Sequence, residues 1–207
     1  MSDITLYRYP LSGHSHRVEV LLSLLNLNAD LVDVDLKAGA QKTPEFLQKN
    51  SFGQVPALED GDVTLSDSNA ILIYLASKYD SQRRWYPQDL AQQAMVQRFL
   101  SVAAGKIAFG PAAARLVNVF GASLDHQAAI ANAHQILAQL ESHLQDRQWL
   151  AAPHATIADV ANYAYIAHAP EGDVSLEGYP NIRGWIERFQ KLPGFVAFPA
   201  TSVGLCA

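Results

Sequence analysis

The residues best suited to gripping a small ligand lie close together, in the stretch NSFGQVPALEDGDVTLSDSNAILIYL from Asn50 to Leu75. Gln54-Val55-Pro56 sets a polar and a β-branched residue before a proline. Glu59-Asp60-Gly61-Asp62 is a tight turn between two apolar runs, the pattern of a β-hairpin. Ser66-Asp67-Ser68 stands just before the apolar run Ala70-Ile71-Leu72-Ile73, as helix-capping residues do. A strand, a hairpin and a helix N-terminus are thereby drawn together, and each offers a different handle to a small, extended, charged ligand. His14, with His16 two residues on, suits acid–base work near neutral pH or simply a polar loop. It does not suit metal binding, because two histidines two residues apart on a helix diverge and no carboxylate or cysteine cluster accompanies them.

The elements that must carry these groups follow from periodicity. Ile4 to Tyr9 reads as a strand, broken by Pro10-Leu11-Ser12-Gly13. Val18, Leu21, Leu22 and Leu25 fall at helical spacing, so about His14 to Leu25 is a helix, and Leu31 to Asp35 alternates as a second strand. That is a β-α-β unit with parallel strands. Thr43-Pro44-Glu45 starts a short helix. Val55 to Leu58 and Val63 to Leu65 form the hairpin strands, and Ala70 to Tyr79 a third helix. Asp80 to Arg84 is a polar linker, after which no strand is expected. Leu90 to about Phe120 is helical with an interruption at Gly105, Gly110 and Pro111. Ser123 to Gln145 is a regular helix on Ile130, Ala133, Leu137, Leu140 and Leu144. Thr156-Ile157-Ala158-Asp159 is a variant capping box opening another helix. Ile182, Trp185, Ile186 and Phe189 mark the last, closed by Pro193-Gly194. The architecture is an α/β domain over 1–79, a linker over 80–89 and an all-α domain over 90–207.

Composition limits the functions. The net charge of −5 argues against nucleic acid as a partner. The start Met1-Ser2-Asp3 lacks the basic residues of a signal peptide, no apolar run approaches the ~18 residues of a membrane span, and the single cysteine, Cys206, cannot form an internal disulfide. A cytoplasmic protein is expected.

With this architecture, the sequence resembles the cytosolic glutathione S-transferases over essentially its whole length. Ala38-Gly39-Ala40-Gln41-Lys42-Thr43-Pro44-Glu45-Phe46-Leu47 followed by Gly53-Gln54-Val55-Pro56-Ala57-Leu58-Glu59-Asp60-Gly61-Asp62 is similar to the family pattern K-G-E-x-K-x-P-E-F-L…N-P-F-G-Q-V-P-x-L-x-D-G-D. Asp67-Ser68-Asn69-Ala70-Ile71 is similar to [E/D]-S-x-A-I, and Thr156 to Asp159 to [S/T]-x-A-D. The resemblance implies a thioredoxin-like N-terminal domain followed by a helical C-terminal domain, with glutathione as co-substrate. It implies a cis bond before Pro56, with Val55 pairing its backbone with the ligand's cysteinyl part. Ser68 at its helix N-terminus would take the γ-glutamyl carboxylate, Asp67 the γ-glutamyl amine, Gln41 and Lys42 the glycyl carboxylate, and Gln54 the ligand backbone. Each has a plainer use as well: helix caps for Asp67 and Ser68, a solvated Lys42, a strand end for Val55.

The family chemistry holds glutathione as thiolate, which a hydroxyl donor after the first strand stabilises. Tyr7, Tyr9, Ser12 and Ser15 are the candidates. Two residues before Pro10, where tyrosine-using classes place their tyrosine, stands Arg8, and no cysteine lies near. Ser12-Gly13-His14-Ser15-His16-Arg17-Val18 is similar to the zeta-class S-S-C-S-W-R-V, which points to Ser12 as catalytic, with Ser15 or a backbone N–H as alternatives. His14 stands where zeta enzymes carry a catalytic cysteine, a departure that sets maleylacetoacetate isomerisation aside. Arg17 is expected to pair with an acidic group. The resemblance places a small, largely apolar electrophile between the domains, with Tyr9, Leu11, His14, Phe109 and Arg115 as lining, and implies a homodimer. The expected activity is glutathione conjugation. Glutathione-dependent disulfide or peroxide reduction, and a non-enzymatic binding or docking module, are the alternatives.

Overall fold

The computed structural model describes residues 4–203, so Cys206 and the first three residues lie outside the described part. The chain divides into two compact units. The first takes the described residues up to Arg83 and also Pro193–Phe198; the second runs from Arg84 to Leu192 and resumes at Pro199.

In the first unit, β1 (Ile4–Arg8), α1 (Gly13–Leu24) and β2 (Asp30–Asp33) are followed by a 3-10 turn (Ala40–Lys42), α2 (Pro44–Lys49), β3 (Ala57–Asp60), β4 (Val63–Ser66) and α3 (Ser68–Tyr79). The four strands lie in the order β2-β1-β3-β4. β1 runs parallel to β2 with Leu6 opposite Leu31, and antiparallel to β3 with Leu6 opposite Leu58. Leu6, Leu21, Leu58, Ile71, Leu72 and Leu75 are all fully buried, so one face of the sheet, α1 and α3 share a core. β2 is one of the two edge strands, and all four of its residues are exposed. The strand expected from Val55 begins only at Ala57, because Pro56 has no N–H to give the ladder. Thr43 caps α2 and Pro44 takes the first turn, as the sequence predicts.

Pro193–Phe198 close this unit from far along the chain. His16 donates its Nε2–H to the Val196 carbonyl at 2.8 Å, and its ring lies 5.0 Å from that of Phe198. Gly194 has φ +88°, and a side chain there would meet the Ser23 carbonyl. The sequence reading assigned all of 90–207 to the helical domain. These six residues depart from it because the pairing to α1 spans 180 positions and leaves no local signal.

In the second unit, α4 (Leu90–Val102) passes through a π-helical stretch (Ala103–Ala112) into α5 (Ala113–Phe120). The expected interruption is a kink: Gly110 has φ −108° and ψ −106°, and Pro111 has no amide hydrogen to bond back. A Cβ on Gly110 would sit 3.0 Å from the Ala133 backbone, so the bend also lets this stretch approach α6 (His126–His143). Leu90–Phe120 is, among the described residues, the one helical run with an 18-residue window long and apolar enough to cross a membrane, which corrects the expectation that no apolar run approaches that length. Half of that window is buried in the fold, where Val96, Phe99, Leu100, Ala103 and Ile107 join the core.

α7 (Ile157–Ala167) begins at a capping box in which Thr156 and Asp159 satisfy each other's backbone N–H groups. Asp159, fully buried, also accepts from Leu150 N–H at 3.0 Å and from Trp185 Nε1 at 2.9 Å, tying in α8 (Pro180–Gln190). Burial pushes its carboxyl up even against these donors. Arg115 is 1% exposed and paired with the buried Glu171, which also accepts from the backbone and hydroxyl of Thr201, each at 2.7 Å. Burial alone would raise Glu171, but the bonds from Thr201 and Arg115 bring it below the usual carboxylate range.

Candidate functional site

The register of the sheet decides where the candidate ligand groups emerge. Tyr7 pairs with Ala57, Ala57 pairs with Ser66, and Arg8 pairs with Asp33. The C-terminal ends of β1, β2 and β4 and the N-terminal end of β3 therefore share one edge of the sheet. From that edge leave the loop to Ser12, the segment to Gln41 and Lys42, the approach Gln54-Val55-Pro56, and Asp67-Ser68. All seven candidate residues for holding and activating the ligand thus belong to one end of one sheet.

Val55–Pro56 is a cis peptide bond. Val55 is half-buried against Val34, Phe46 and Ala57, and Gln54 is exposed while its carbonyl accepts from Asn50 Nδ2 at 2.7 Å. Gly53 has φ +59°, and a Cβ there would come within 2.7 Å of Lys42 Nζ and 2.8 Å of the Gln41 carbonyl. Only glycine lets the two segments approach so closely. Lys42 Nζ donates to the Phe52 carbonyl at 3.2 Å, which holds the amine over this loop.

At the N-terminus of α3, Asp67 caps the helix by accepting from Ala70 N–H at 2.9 Å, and it does so with φ +70° and ψ 119°. A left-handed φ on a residue with a Cβ is uncommon, and such strain concentrates at ligand sites. Ser68 is 3% exposed. Its Oγ accepts from Arg17 NH1 at 3.1 Å and lies 3.3 Å from His14 Nδ1, and the same Arg17 NH1 is 2.8 Å from His14 Nδ1. This nitrogen of Arg17 bridges an imidazole and a serine. The link joins residues 51 positions apart, and nothing local in the sequence announces it.

Ser12 and Ser15 separate clearly. Ser15 is 1% exposed, and its Oγ accepts from Tyr9 N–H at 3.2 Å. Ser12 is partly exposed at the N-cap of α1, accepting from Ser15 N–H at 3.3 Å. Its hydroxyl proton remains to be donated, beside the positive end of the helix. Tyr7 is engaged elsewhere, donating to Glu59 at 2.8 Å with Lys49 over its ring. Tyr9 and Leu11 are half-buried on the same loop as Ser12. Phe109 is 71% exposed and borders a cleft of about 290 Å³ in the helical unit with Lys106, Asn132 and Ile136. Arg115, read as a lining residue, is a correction: it is sealed in its ion pair with Glu171. His14 and His16 turn to different partners, and no group of three metal-ligating side chains occurs among the described residues.

Burial, with the Arg17 charge beside it, brings the His14 imidazole down to about 3. An unfolded imidazole titrates near ~6.5, so the native state excludes a proton that the unfolded chain takes up. The stability tied to neutral His14 is complete above that pH and is lost as pH falls toward 3, by up to about 1.4 kcal/mol per pH unit. Burial lowers His168 too, with the same sign. Urea unfolding at pH 6 and pH 5 should show the loss, and His14→Asn should remove its own share; equal slopes in the two proteins would refute it.

Two family models match the chain: "Glutathione S-transferase, N-terminal domain" over residues 2–77 and "Glutathione S-transferase, C-terminal domain" over residues 122–193. Glutathione S-transferase 3 of Zea mays is 34% identical, over 94% of this chain and 92% of the maize protein. Among solved structures, a glutathione S-transferase from Pseudomonas fluorescens superposes with a TM-score of 0.90 at 28% identity, covering 96% of this chain and all of that one. A glutathione transferase homologue from Drosophila mojavensis, solved with bound glutathione, gives 0.85 at 31% identity, covering 93% and 90%.

Proposed function

This chain belongs to the glutathione S-transferase family and uses glutathione as co-substrate, and from that premise we propose how its residues divide the work. Val55 offers its backbone to the cysteinyl part of the tripeptide, in the manner of an added strand. Ser68 and the N-terminus of α3 take the γ-glutamyl carboxylate, Asp67 takes the amine, Gln41 and Lys42 take the glycyl carboxylate, and Gln54 hydrogen-bonds the ligand backbone. Ser12 donates its hydroxyl to the sulfur and so favours the thiolate. The thiolate then attacks an electrophilic carbon of a small, largely apolar substrate, near Tyr9 and Leu11. Holding thiolate and electrophile together adds the gain of proximity to that of activation. The protein works as a cytoplasmic homodimer.

One observation carries this division: the segments bearing all seven groups leave the sheet at the same edge. Excess glutathione is expected to raise thermal stability, by about 2.7 kcal/mol at a hundredfold excess over its Kd. A melting curve unmoved by glutathione would refute the reading. An aryl halide turned over faster than a mixed glutathione disulfide marks conjugation as the reaction.

A further inference from the structure

The contact of Ser68 with Arg17 and His14 has a role that the ligand assignments leave open. A serine hydroxyl has one proton and can accept through its lone pairs. Arg17 NH1 supplies a donor to Ser68 Oγ at 3.1 Å and also reaches His14 Nδ1 at 2.8 Å. An imidazole nitrogen can accept only when it carries no proton, so His14 serves as an acceptor with its hydrogen on Nε2. With the guanidinium satisfying Nδ1, the Ser68 proton is not needed by His14 and can turn outward. We infer that His14 is a positioning residue for glutathione binding: it pins Arg17 NH1 against Ser68, which leaves the Ser68 hydroxyl to donate to the ligand's carboxylate. The inference rests on the reading of Ser68 as the carboxylate-holding group.

Chemistry favours this arrangement over a plain packing role. Arg17 is 1% exposed, and a guanidinium carries its charge at any physiological pH. Held by His14, that charge stands directly behind the serine oxygen, where it polarises the O–H toward an anion. A neutral histidine adds no second positive charge against the guanidinium, which a lysine at this position would do. Binding is the step His14 serves, because its Nδ1 lies 3.3 Å from Ser68 Oγ, the group assigned to the ligand's carboxylate.

The test is glutathione affinity by calorimetry, with kcat at saturating glutathione, on the wild type, His14→Leu, His14→Asn, and each of these with Ser68→Ala. Asparagine places Oδ1 two bonds from Cβ, where the imidazole has Nδ1, so it restores the acceptor. His14→Leu is expected to weaken glutathione by about tenfold, the scale of one charge-assisted hydrogen bond, with kcat within about twofold. His14→Asn should recover most of the affinity, and in the Ser68→Ala background His14→Leu should add little. If His14→Leu does not fold, His14→Gln replaces it, since its amide lies one bond too far and should behave as a loss. Affinity unchanged in the leucine variant, equal losses in leucine and asparagine, or full additivity with Ser68→Ala would each overturn the inference. Failure of the wild type to bind glutathione would overturn the site reading along with it, whereas normal wild-type binding with an unmoved His14→Leu overturns the inference alone.

Discussion

Asp159→Ala is expected to destabilise the protein by about 3–5 kcal/mol, a large part of the ~5–15 kcal/mol that holds a typical domain folded. The side chain is fully buried and accepts from Leu150 N–H, Thr156 N–H, the Thr156 hydroxyl and Trp185 Nε1. Alanine removes every one of these acceptors and leaves buried donors without a partner side chain. Each orphaned donor costs on the order of 1–3 kcal/mol before relaxation. The loss also undoes two long connections, the loop at Leu150 and the buried indole of α8. Asp159→Asn keeps one oxygen in place for Leu150 and Trp185 but turns an N–H₂ toward Thr156, and should cost visibly less. Urea denaturation followed by tryptophan fluorescence measures both. Equal midpoints for wild type and Asp159→Ala would show that the carboxylate is dispensable.

Ser12→Ala should raise the thiol pKa of bound glutathione by about two units, equivalent to about 2.7 kcal/mol. Below the free thiol value of ~8.5, the conjugation rate would then fall by roughly a hundredfold. The expectation comes from position: Ser15, the nearest alternative, is 1% exposed, whereas Ser12 is partly exposed at the N-cap of α1. Ser12 also caps α1, and loss of a cap costs about 1 kcal/mol of stability. A thiolate absorbance titration separates the two effects, since capping alone moves the melting point and not the titration. Ser12→Thr retains the hydroxyl and should keep the low pKa. A wild-type pKa in Ser12→Ala would transfer the role to a backbone N–H on the same loop.

The parts of the molecule legible in its sequence are those decided by neighbours. Thr43 before Pro44, and Thr156 three residues before Asp159, announce their helices because capping is a local affair. Asp67 and Ser68 likewise reveal a helix N-terminus, although not the left-handed φ of Asp67. The Gly110-Pro111 kink is visible as an interruption, but not the close approach to α6 that it permits. What stayed hidden is long-range. Arg115 looked like a pocket residue because its partner Glu171 lies 56 positions away. His14 looked like a loop histidine because Ser68 lies 54 away. Charge and polarity in a sequence indicate that a residue needs a partner; only the fold names it.

The Pro193–Phe198 segment bears on how the protein is made. A chain leaves the ribosome N-terminus first, and domains generally fold as units in that order. Here the sheet and α1 are synthesised first, yet the carbonyl of Val196 that His16 meets emerges 180 residues later. Until Phe198 has emerged, the nascent first unit carries an uncovered flank on α1. A boundary drawn after Arg83 for expression of that half alone would fix this unfinished state permanently.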